Sequence, residues 1–97
     1  MQSSEQILRL LKKELPYLQK TFKVKRIGIF GSRVRGEQTE KSDIDLLVEF
    51  EKPLGFFAFI ELEDYLSKRL GARVDLVTPD ALKPLIKPHI MKETVYA

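Results

Sequence analysis

Two aspartates one residue apart, Asp43 and Asp45, open an apolar run whose alternating pattern is typical of a β-strand. Residues two apart on a strand point to the same face of a sheet, so the two carboxylates are expected to lie side by side. Carboxylates this close repel each other unless a proton or a cation lies between them. The pair therefore indicates a metal site of the kind that Mg²⁺ shares with phosphates, although taken alone such a pair is more often a solvated strand end.

A glycine and a serine, Gly31 and Ser32, precede the aspartates by a gap of ten residues. Glycine lets the backbone turn sharply and approach a ligand closely. A short helix that begins at Ser32 would direct its first N–H groups and the serine hydroxyl at phosphate oxygens. Arg33 and Arg35 place positive charge nearby, so this stretch is a candidate phosphate-binding turn.

One familiar phosphate-binding loop is excluded by the residues that follow the turn. Gly31 and Gly36 have the spacing of the two glycines of a P-loop. That motif continues with a lysine and a serine or threonine, whereas this chain has Glu37 and Gln38 at those positions. The protein is therefore not predicted to be a P-loop NTPase.

A third aspartate, Asp75, lies within the short β-rich run of residues 73–77. Because an unpaired buried carboxylate is costly, Asp75 is expected to lie on an exposed edge, to pair with Arg73, or to join a charged site. If its strand lies beside the second strand, Asp75 can join Asp43 and Asp45. Three carboxylates can hold two metal ions about 3.5–4 Å apart, which suits an in-line displacement at phosphorus.

The spacing of apolar residues predicts an α/β domain in which a small mixed sheet of three strands is flanked by helices, in the order α-β-α-β-α-β-α. A capping-box pattern at Ser3 and Gln6 begins the first helix, and Pro16 is expected to stop or kink it. The predicted elements are helices at residues 4–14, 32–35 and 56–70, a short helical piece at 16–20, strands at 24–30, 43–50 and 73–77, a loop at 37–42, short helical pieces after Pro79, and a last extended piece at 95–96.

Several other side chains are predicted to have structural rather than chemical roles. The phenylalanines of the long helix are expected to contact the core or a partner rather than to stack on a base: Phe56, Phe57 and Phe59. Three apolar residues near the C-terminus are expected to face inward: Ile86, Ile90 and Met91. The lone His89 is expected to be a packing or surface residue.

Length and composition favour a single domain over residues 1–97. The formal net charge of +3 is mild and fits an anionic ligand or simply a solvated surface. The chain has no cysteine, which excludes disulfides and thiolate metal sites and favours a cytoplasmic location. No apolar run approaches the roughly 18 residues of a membrane span, and the first residues lack the pattern of a signal peptide, so no membrane association is expected.

Together these residues resemble the nucleotidyltransferase superfamily of the DNA polymerase beta type, and within it the minimal nucleotidyltransferase (MNT) branch. The resemblance is carried by the glycine–serine pair, the ten-residue gap and the Asp-x-Asp pair, within the stretches FGSRVRG (30–36) and SDIDL (42–46). The stretch VDLV (74–77) resembles the strand that carries the family's third carboxylate. The similarity covers nearly the whole chain and implies the polymerase beta-type nucleotidyltransferase fold.

The resemblance also implies a role for each candidate residue. Ser32 and the backbone of Gly31 would bind the triphosphate, with the two arginines nearby. The three aspartates would be metal ligands, and Asp75 would also help activate the attacking hydroxyl. The implied cofactors are two Mg²⁺ ions, with Mn²⁺ as an alternative, and the implied donor is ATP. The reaction is transfer of a nucleoside monophosphate with departure of pyrophosphate.

The chain has no room for the acceptor-binding domain of larger relatives, so the acceptor is expected to belong to another protein. Minimal members of the branch resemble antitoxins encoded beside a HEPN-domain toxin, and the first hypothesis is transfer of AMP to a tyrosine hydroxyl of such a toxin. Direct binding of nucleic acid is not expected, and the sequence leaves a homo-oligomer open. Two alternatives remain at this point: a non-catalytic module that neutralises its partner by contact, and a nucleotidyltransferase acting on a small molecule or an RNA end.

Overall fold

The computed structural model describes residues 3–37 and 43–97. Within them, helices and strands alternate as the sequence predicts, and the predicted loop at 37–42 lies outside the described residues except for Glu37. The elements are α1 (Ser4–Phe22), β1 (Val24–Phe30), α2 (Ser32–Arg35), β2 (Ile44–Phe50), α3 (Phe56–Leu70), β3 (Val74–Val77), a 3-10 turn (Pro79–Ala81), α4 (Lys87–Glu93) and β4 (Val95–Tyr96).

The sheet is mixed, as predicted, but in the described part of the chain it has four strands in the order β3-β2-β1-β4 rather than three. β1 pairs antiparallel with both β2 and β4, while β2 pairs parallel with β3. The prediction of three strands was wrong because β4 is only two residues long, and its strand character comes from pairing with Gly28 and Ile29 far away in the sequence. A Cβ atom at Gly28 would lie 2.7 Å from Thr94 Cγ2 and from Val95 O, so glycine is required for this close approach.

One face of the sheet is covered by α1 and α3, and this layer contains the main hydrophobic core. Alternate residues of β2 (Ile44, Leu46 and Val48) point into it together with Val74 and Leu76 of β3. Residues between them in sequence, including Asp45 and Asp75, therefore project from the opposite face. The core layer thus fixes the sheet and leaves the aspartates on the side away from α1 and α3.

The first helix is longer than predicted, because α1 runs through Pro16 to Phe22. It begins with the predicted capping box: the Gln6 N–H donates to Ser3 Oγ, and the Ser3 N–H donates to Gln6 Oε1. Proline inside a helix costs about 3 kcal/mol in lost propensity and one lost hydrogen bond. Leu18 and Phe22 continue the apolar stripe into the core beyond the proline, and their burial offsets that cost.

The outer edge of β3 is bonded by side chains of α3 rather than by another strand. The Val74 N–H donates to Ser67 Oγ at 3.1 Å, and the Leu76 N–H donates to Glu63 Oε2 at 3.1 Å. These are backbone donors of an edge strand that would otherwise be open to solvent. The helix that crosses from β2 to β3 therefore both packs on the sheet and closes its edge.

Some apolar residues lie outside the core, and for one of them, Ile86, the prediction was wrong. Phe56 and Phe57, in the first turn of α3, are 73% and 79% exposed, whereas Phe59 packs against the core. Ile86, predicted to face inward, is exposed because it lies at the N-cap of the short α4, while Ile90 and Met91 are partly buried. No helix within residues 3–37 and 43–97 is long and apolar enough to cross a membrane.

Candidate active site

The turn after β1 has a conformation that favours glycine. Gly31 has φ +83° and ψ −153°, a combination that side-chain-bearing residues adopt only with strain. Its carbonyl oxygen accepts hydrogen bonds from the N–H groups of Val34 and Arg35 at 3.1 and 3.2 Å, which starts α2 directly after the turn. Gly36 ends this single helical turn in the left-handed conformation. The predicted glycine turn and short helix are both present at the predicted residues.

Gly31 also lies directly against the Asp45 carboxylate. The two come together because Phe30, the last residue of β1, pairs with Asp45 of β2 across the antiparallel ladder. A Cβ atom at Gly31 would overlap Asp45 Oδ2 and lie 3.0 Å from Asp45 Cγ. Glycine is therefore needed at position 31 for backbone conformation and for room beside the carboxylate. The turn and the aspartate pair, ten residues apart in the sequence, form one site.

Asp75 lies beside Asp45 in the sheet. In the parallel pairing of β2 and β3 the two aspartates are register partners, and the Ile44 N–H donates to the carbonyl of Arg73 at 2.9 Å. Asp75 is exposed, and Asp45 is partly buried. Asp43 immediately precedes β2, with its Oδ2 atom 3.8 Å from Arg73 Nε. Asp75 was expected to join the other two aspartates if the third strand lay beside the second, and β3 does pair with β2.

The pKa of Asp45 is raised from 3.8 to about 6. Burial is the largest cause, and the negative charges of Asp75 and Asp43 add to it. Arg35 opposes the shift, and Glu93 contributes to it. This corner of the sheet concentrates negative charge on a partly buried carboxylate, a setting in which a cation is strongly favoured.

The aspartates fit a metal ion that arrives together with a phosphate ligand. Among residues 3–37 and 43–97, no group of three or more His, Cys, Asp and Glu side chains is arranged to hold a metal ion by itself. Mg²⁺ typically binds one or two carboxylates together with substrate phosphates and water, rather than a complete protein cage. The neighbouring Asp45 and Asp75, with Asp43 close in sequence, match this partial set in type and in excess negative charge.

Both arginines of the turn lie in α2, but their surroundings differ. Arg33 is buried, with 5% of its surface exposed. The half-exposed Arg35 side chain donates from Nε to Glu37 Oε1 and from Nη1 to Glu93 Oε1, each at 2.8 Å. These two hydrogen bonds raise the pKa of Arg35. The structure therefore places Arg35 beside the turn as a guanidinium already held by two carboxylates.

Glu93 is a residue at this site that sequence reasoning missed. It lies at the end of α4, and its Oε2 atom accepts a hydrogen bond from the Gly31 N–H at 2.9 Å. Its pKa is lowered overall: burial acts to raise it, and the bonds from Gly31 and Arg35 outweigh that effect. An acidic residue at the end of a short helix gives no sequence signal of such a role. Only the pairing of β4 with β1 brings it to the turn.

A cavity of about 450 Å³ lies elsewhere, at the C-terminal end of β2. It is lined by Phe50, Lys52, Phe59 and Pro79, among others. Asp45 is near the N-terminal end of the same strand, so the cavity does not include the aspartates. The candidate site residues Gly31, Asp45 and Asp75 lie instead in the open corner formed by the turn and the two parallel strands, β2 and β3.

Comparison with known proteins finds relatives over nearly the full chain. The profile of the family described as the nucleotidyltransferase domain matches residues 8–97. A Thermococcus cleftensis protein named protein adenylyltransferase MntA is 48% identical over 96 residues, which are 99% of this chain and 94% of that protein. A solved structure described as a candidate minimal nucleotidyltransferase has a TM-score of 0.79 at 33% identity, covering 97% of this chain and 95% of that one. Another, described as a tri-AMPylated Shewanella oneidensis HEPN toxin in complex with an MNT antitoxin, has a TM-score of 0.60 at 25% identity, covering 96% of this chain and 66% of that one.

Proposed function

The chain belongs to the nucleotidyltransferase domain family, and on that premise we propose that it is a Mg²⁺-dependent protein adenylyltransferase that uses ATP. In this proposal it transfers AMP to a tyrosine hydroxyl of a HEPN-domain partner and thereby acts as its antitoxin. Mn²⁺ is an alternative metal. The cytoplasm, inferred from the absence of cysteine, is the proposed compartment, and residues 1–97 are proposed to act as one domain.

The observation that carries the proposal is the shared corner of Gly31, Asp45 and Asp75. The glycine turn contacts one carboxylate, and the second carboxylate is its register partner on the adjacent strand. A phosphate-binding turn must lie next to metal-binding carboxylates if both are to hold one triphosphate. The fold provides this adjacency from three separate segments of the chain.

In the proposed mechanism the protein acts mainly by positioning and by neutralising charge. The turn at Gly31 presents Ser32, whose hydroxyl holds the phosphates, and Asp43, Asp45 and Asp75 would hold the metal ions. When bound, the metal ions supply neutralisation of the triphosphate and of the leaving pyrophosphate. Asp75 accepts the proton of the attacking tyrosine hydroxyl. The oxygen then forms a bond to the α-phosphorus as the bond from that phosphorus to the oxygen bridging it to the β-phosphate breaks.

The exposure of Asp75 supports an acceptor that comes from another molecule. Asp75 lies on β3, the edge strand of the sheet, and is accessible to solvent. Asp45 is on the inner neighbour and is partly buried. A hydroxyl brought by a partner would therefore meet Asp75 more readily than Asp45. The solved MNT antitoxin complex with an AMPylated HEPN toxin supports a HEPN protein as that partner.

The proposal is tested with a HEPN-domain protein encoded beside this chain. The two proteins are incubated with ATP and Mg²⁺ at several ratios, and the partner is analysed by intact-mass spectrometry and by peptide mapping. A gain of one or more AMP units on a tyrosine is expected. Absence of any gain at every ratio, with an active positive-control enzyme, would contradict the proposed reaction.

One observation favours a second candidate, neutralisation of the partner by contact alone. Two phenylalanines in the first turn of α3, Phe56 and Phe57, are 73% and 79% exposed and form an apolar surface that a partner could cover. The double substitution Asp43→Asn with Asp45→Asn separates the candidates. Loss of neutralisation with retained complex formation supports catalysis. Full neutralisation by the double variant supports contact and overturns the catalytic account.

A further inference from the structure

The Glu93 carboxylate ties the C-terminal segment to the candidate nucleotide-binding turn. One oxygen accepts from the Gly31 N–H at 2.9 Å, and the other accepts from Arg35 Nη1 at 2.8 Å. The Glu93 side chain is 19% exposed, so this arrangement is partly shielded from water. Hydrogen bonds to a charged acceptor contribute more than neutral ones, particularly when shielded.

The strand register explains why Glu93 is available to Gly31. Ile29 of β1 pairs with Val95 of β4, and extending this register by two residues places Gly31 opposite Glu93. β4 begins only at Val95, so the chain at Glu93 is helical and offers no strand carbonyl in that direction. The Glu93 side chain therefore accepts the Gly31 N–H, which lies beyond the last residue of β1 that pairs with β4.

Gly31 is consequently held by carboxylates from two segments. Asp45 fills the space where a Cβ would be, and Glu93 accepts the backbone N–H. The turn has a glycine-only conformation, which persists only where surrounding contacts determine it. The two contacts together fix the turn that presents Ser32 to the phosphates.

We propose that Glu93 is a positioning residue for nucleotide binding, which holds the Gly31 backbone and the Arg35 guanidinium in the arrangement that accepts the triphosphate. This inference rests on the proposed function, since it requires a nucleotide at the turn. Glu93 acts through Gly31 and Arg35 and does not itself touch the nucleotide. The last helix and strand of the chain are then part of the donor site rather than only a cover for the edge of β1.

The sign of the effect distinguishes positioning from simple electrostatics. Glu93 is an anion beside a site proposed for a triphosphate, so its charge alone disfavours binding. Removal of that charge would therefore strengthen binding if Glu93 had no positioning role. Positioning predicts the opposite, because loss of the carboxylate frees the turn and leaves Arg35 held by Glu37 alone.

The test measures binding of the Mg²⁺ complex of a non-hydrolysable ATP analogue by calorimetry. Glu93→Gln keeps the size of the side chain and one neutral acceptor, and we expect Kd to rise about threefold to tenfold, as for replacement of a charge-assisted hydrogen bond by a neutral one. For Glu93→Ala the expected rise is larger, at least about tenfold. In the transfer assay both variants should raise KM for ATP more than they lower kcat.

The matched control is Glu49→Gln, which removes an ion pair from the same sheet without contact to the turn. Glu49 pairs with Arg26 at 2.5 Å, is 23% exposed and accepts from the hydroxyl of Tyr96 in β4. We expect the Kd of Glu49→Gln to stay within about twofold of the wild type, since the ion pair that is lost lies away from the turn. If Glu93→Gln also binds as tightly as the wild type, or more tightly, the positioning role is refuted. If the wild type itself binds no nucleotide, the proposed function fails instead.

Discussion

Replacement of Asp45 by asparagine should make the nucleotide-free protein more stable while it abolishes transfer. Asp45 carries a partly buried charge beside two other aspartates, and its pKa is raised from 3.8 to about 6. Its ionised form is therefore disfavoured in the folded state relative to the unfolded chain. Asparagine has almost the same shape and carries no charge, so it removes this penalty. Sites built for function are commonly destabilising in this way.

The size and the pH dependence of the gain follow from the pKa. The difference between 3.8 and about 6 corresponds to a penalty of at most about 3 kcal/mol. Partial exposure of Asp45 lets water screen the charge, so we expect a gain of about 1–2 kcal/mol at neutral pH. Below about pH 3.8 the carboxyl is protonated in both states and the gain vanishes. It appears as the pH rises from 3.8 to about 6 and is constant above that range.

Urea denaturation of the wild type and of Asp45→Asn at a series of pH values, without metal or nucleotide, measures this gain. Asp64→Asn is the control, since Asp64 is an exposed aspartate of α3 that pairs with Lys68 at 2.9 Å. We expect it to change the free energy of unfolding by no more than about 0.5 kcal/mol. If Asp45→Asn is no more stable than the wild type at pH 8, while Asp64→Asn is unchanged, the inference that the folded structure disfavours the ionised form of Asp45 is refuted.

Three other predictions use the same site and the core beneath the sheet. Gly31→Ala should lower the free energy of unfolding by about 1–3 kcal/mol and abolish nucleotide binding, because the added methyl group strains the backbone and overlaps Asp45. Urea denaturation measures the loss of stability, and calorimetry measures the loss of nucleotide binding. Mg²⁺ with a non-hydrolysable ATP analogue should raise the Tm of the wild type, by an amount equivalent to about 2.7 kcal/mol at a hundredfold excess over Kd, and should raise that of Asp45→Asn far less. Glu14, whose pKa is lowered from 4.5 chiefly by the hydrogen bond from Tyr65 and also by Arg69, stabilises the fold above pH 4.5 and loses that effect as the pH falls through its lowered value. Glu14→Gln should therefore cost about 1–3 kcal/mol at pH 7 in thermal or urea unfolding, and an undiminished cost at pH 3 would contradict this assignment.

Local sequence patterns were sufficient for the parts of the fold that depend on neighbouring residues. The run from Val24 to Phe30 and the helix from Phe56 to Leu70 were predicted at their observed bounds, because periodicity and a terminal glycine mark both. The two-residue period of a strand led to the prediction that Asp43 and Asp45 share one face, and the observed strand begins at Ile44, directly after Asp43. These inferences need no knowledge of which segments pack together.

Contacts between distant segments decided the remainder. Pro16 was expected to stop or kink the first helix, but α1 continues through it to Phe22, with Leu18 and Phe22 buried against the sheet. The strand β4 exists only because it pairs with β1, and that pairing in turn brings Glu93 to the turn. The register of Asp45 with Asp75 depends on how the helix between their strands crosses the sheet, which no local pattern specifies.

In the proposed reaction, the closed edge of β3 restricts how a partner can deliver its hydroxyl group to Asp75. The N–H groups of Val74 and Leu76 are already bonded to side chains of α3, so they are not available to an incoming extended segment. Peptide recognition by strand addition requires such free donors on an edge strand. An acceptor tyrosine is therefore expected to enter from a helix or an irregular loop and to be recognised by its side chain. Flexible extended peptides carrying the same tyrosine should be poor substrates compared with the folded partner.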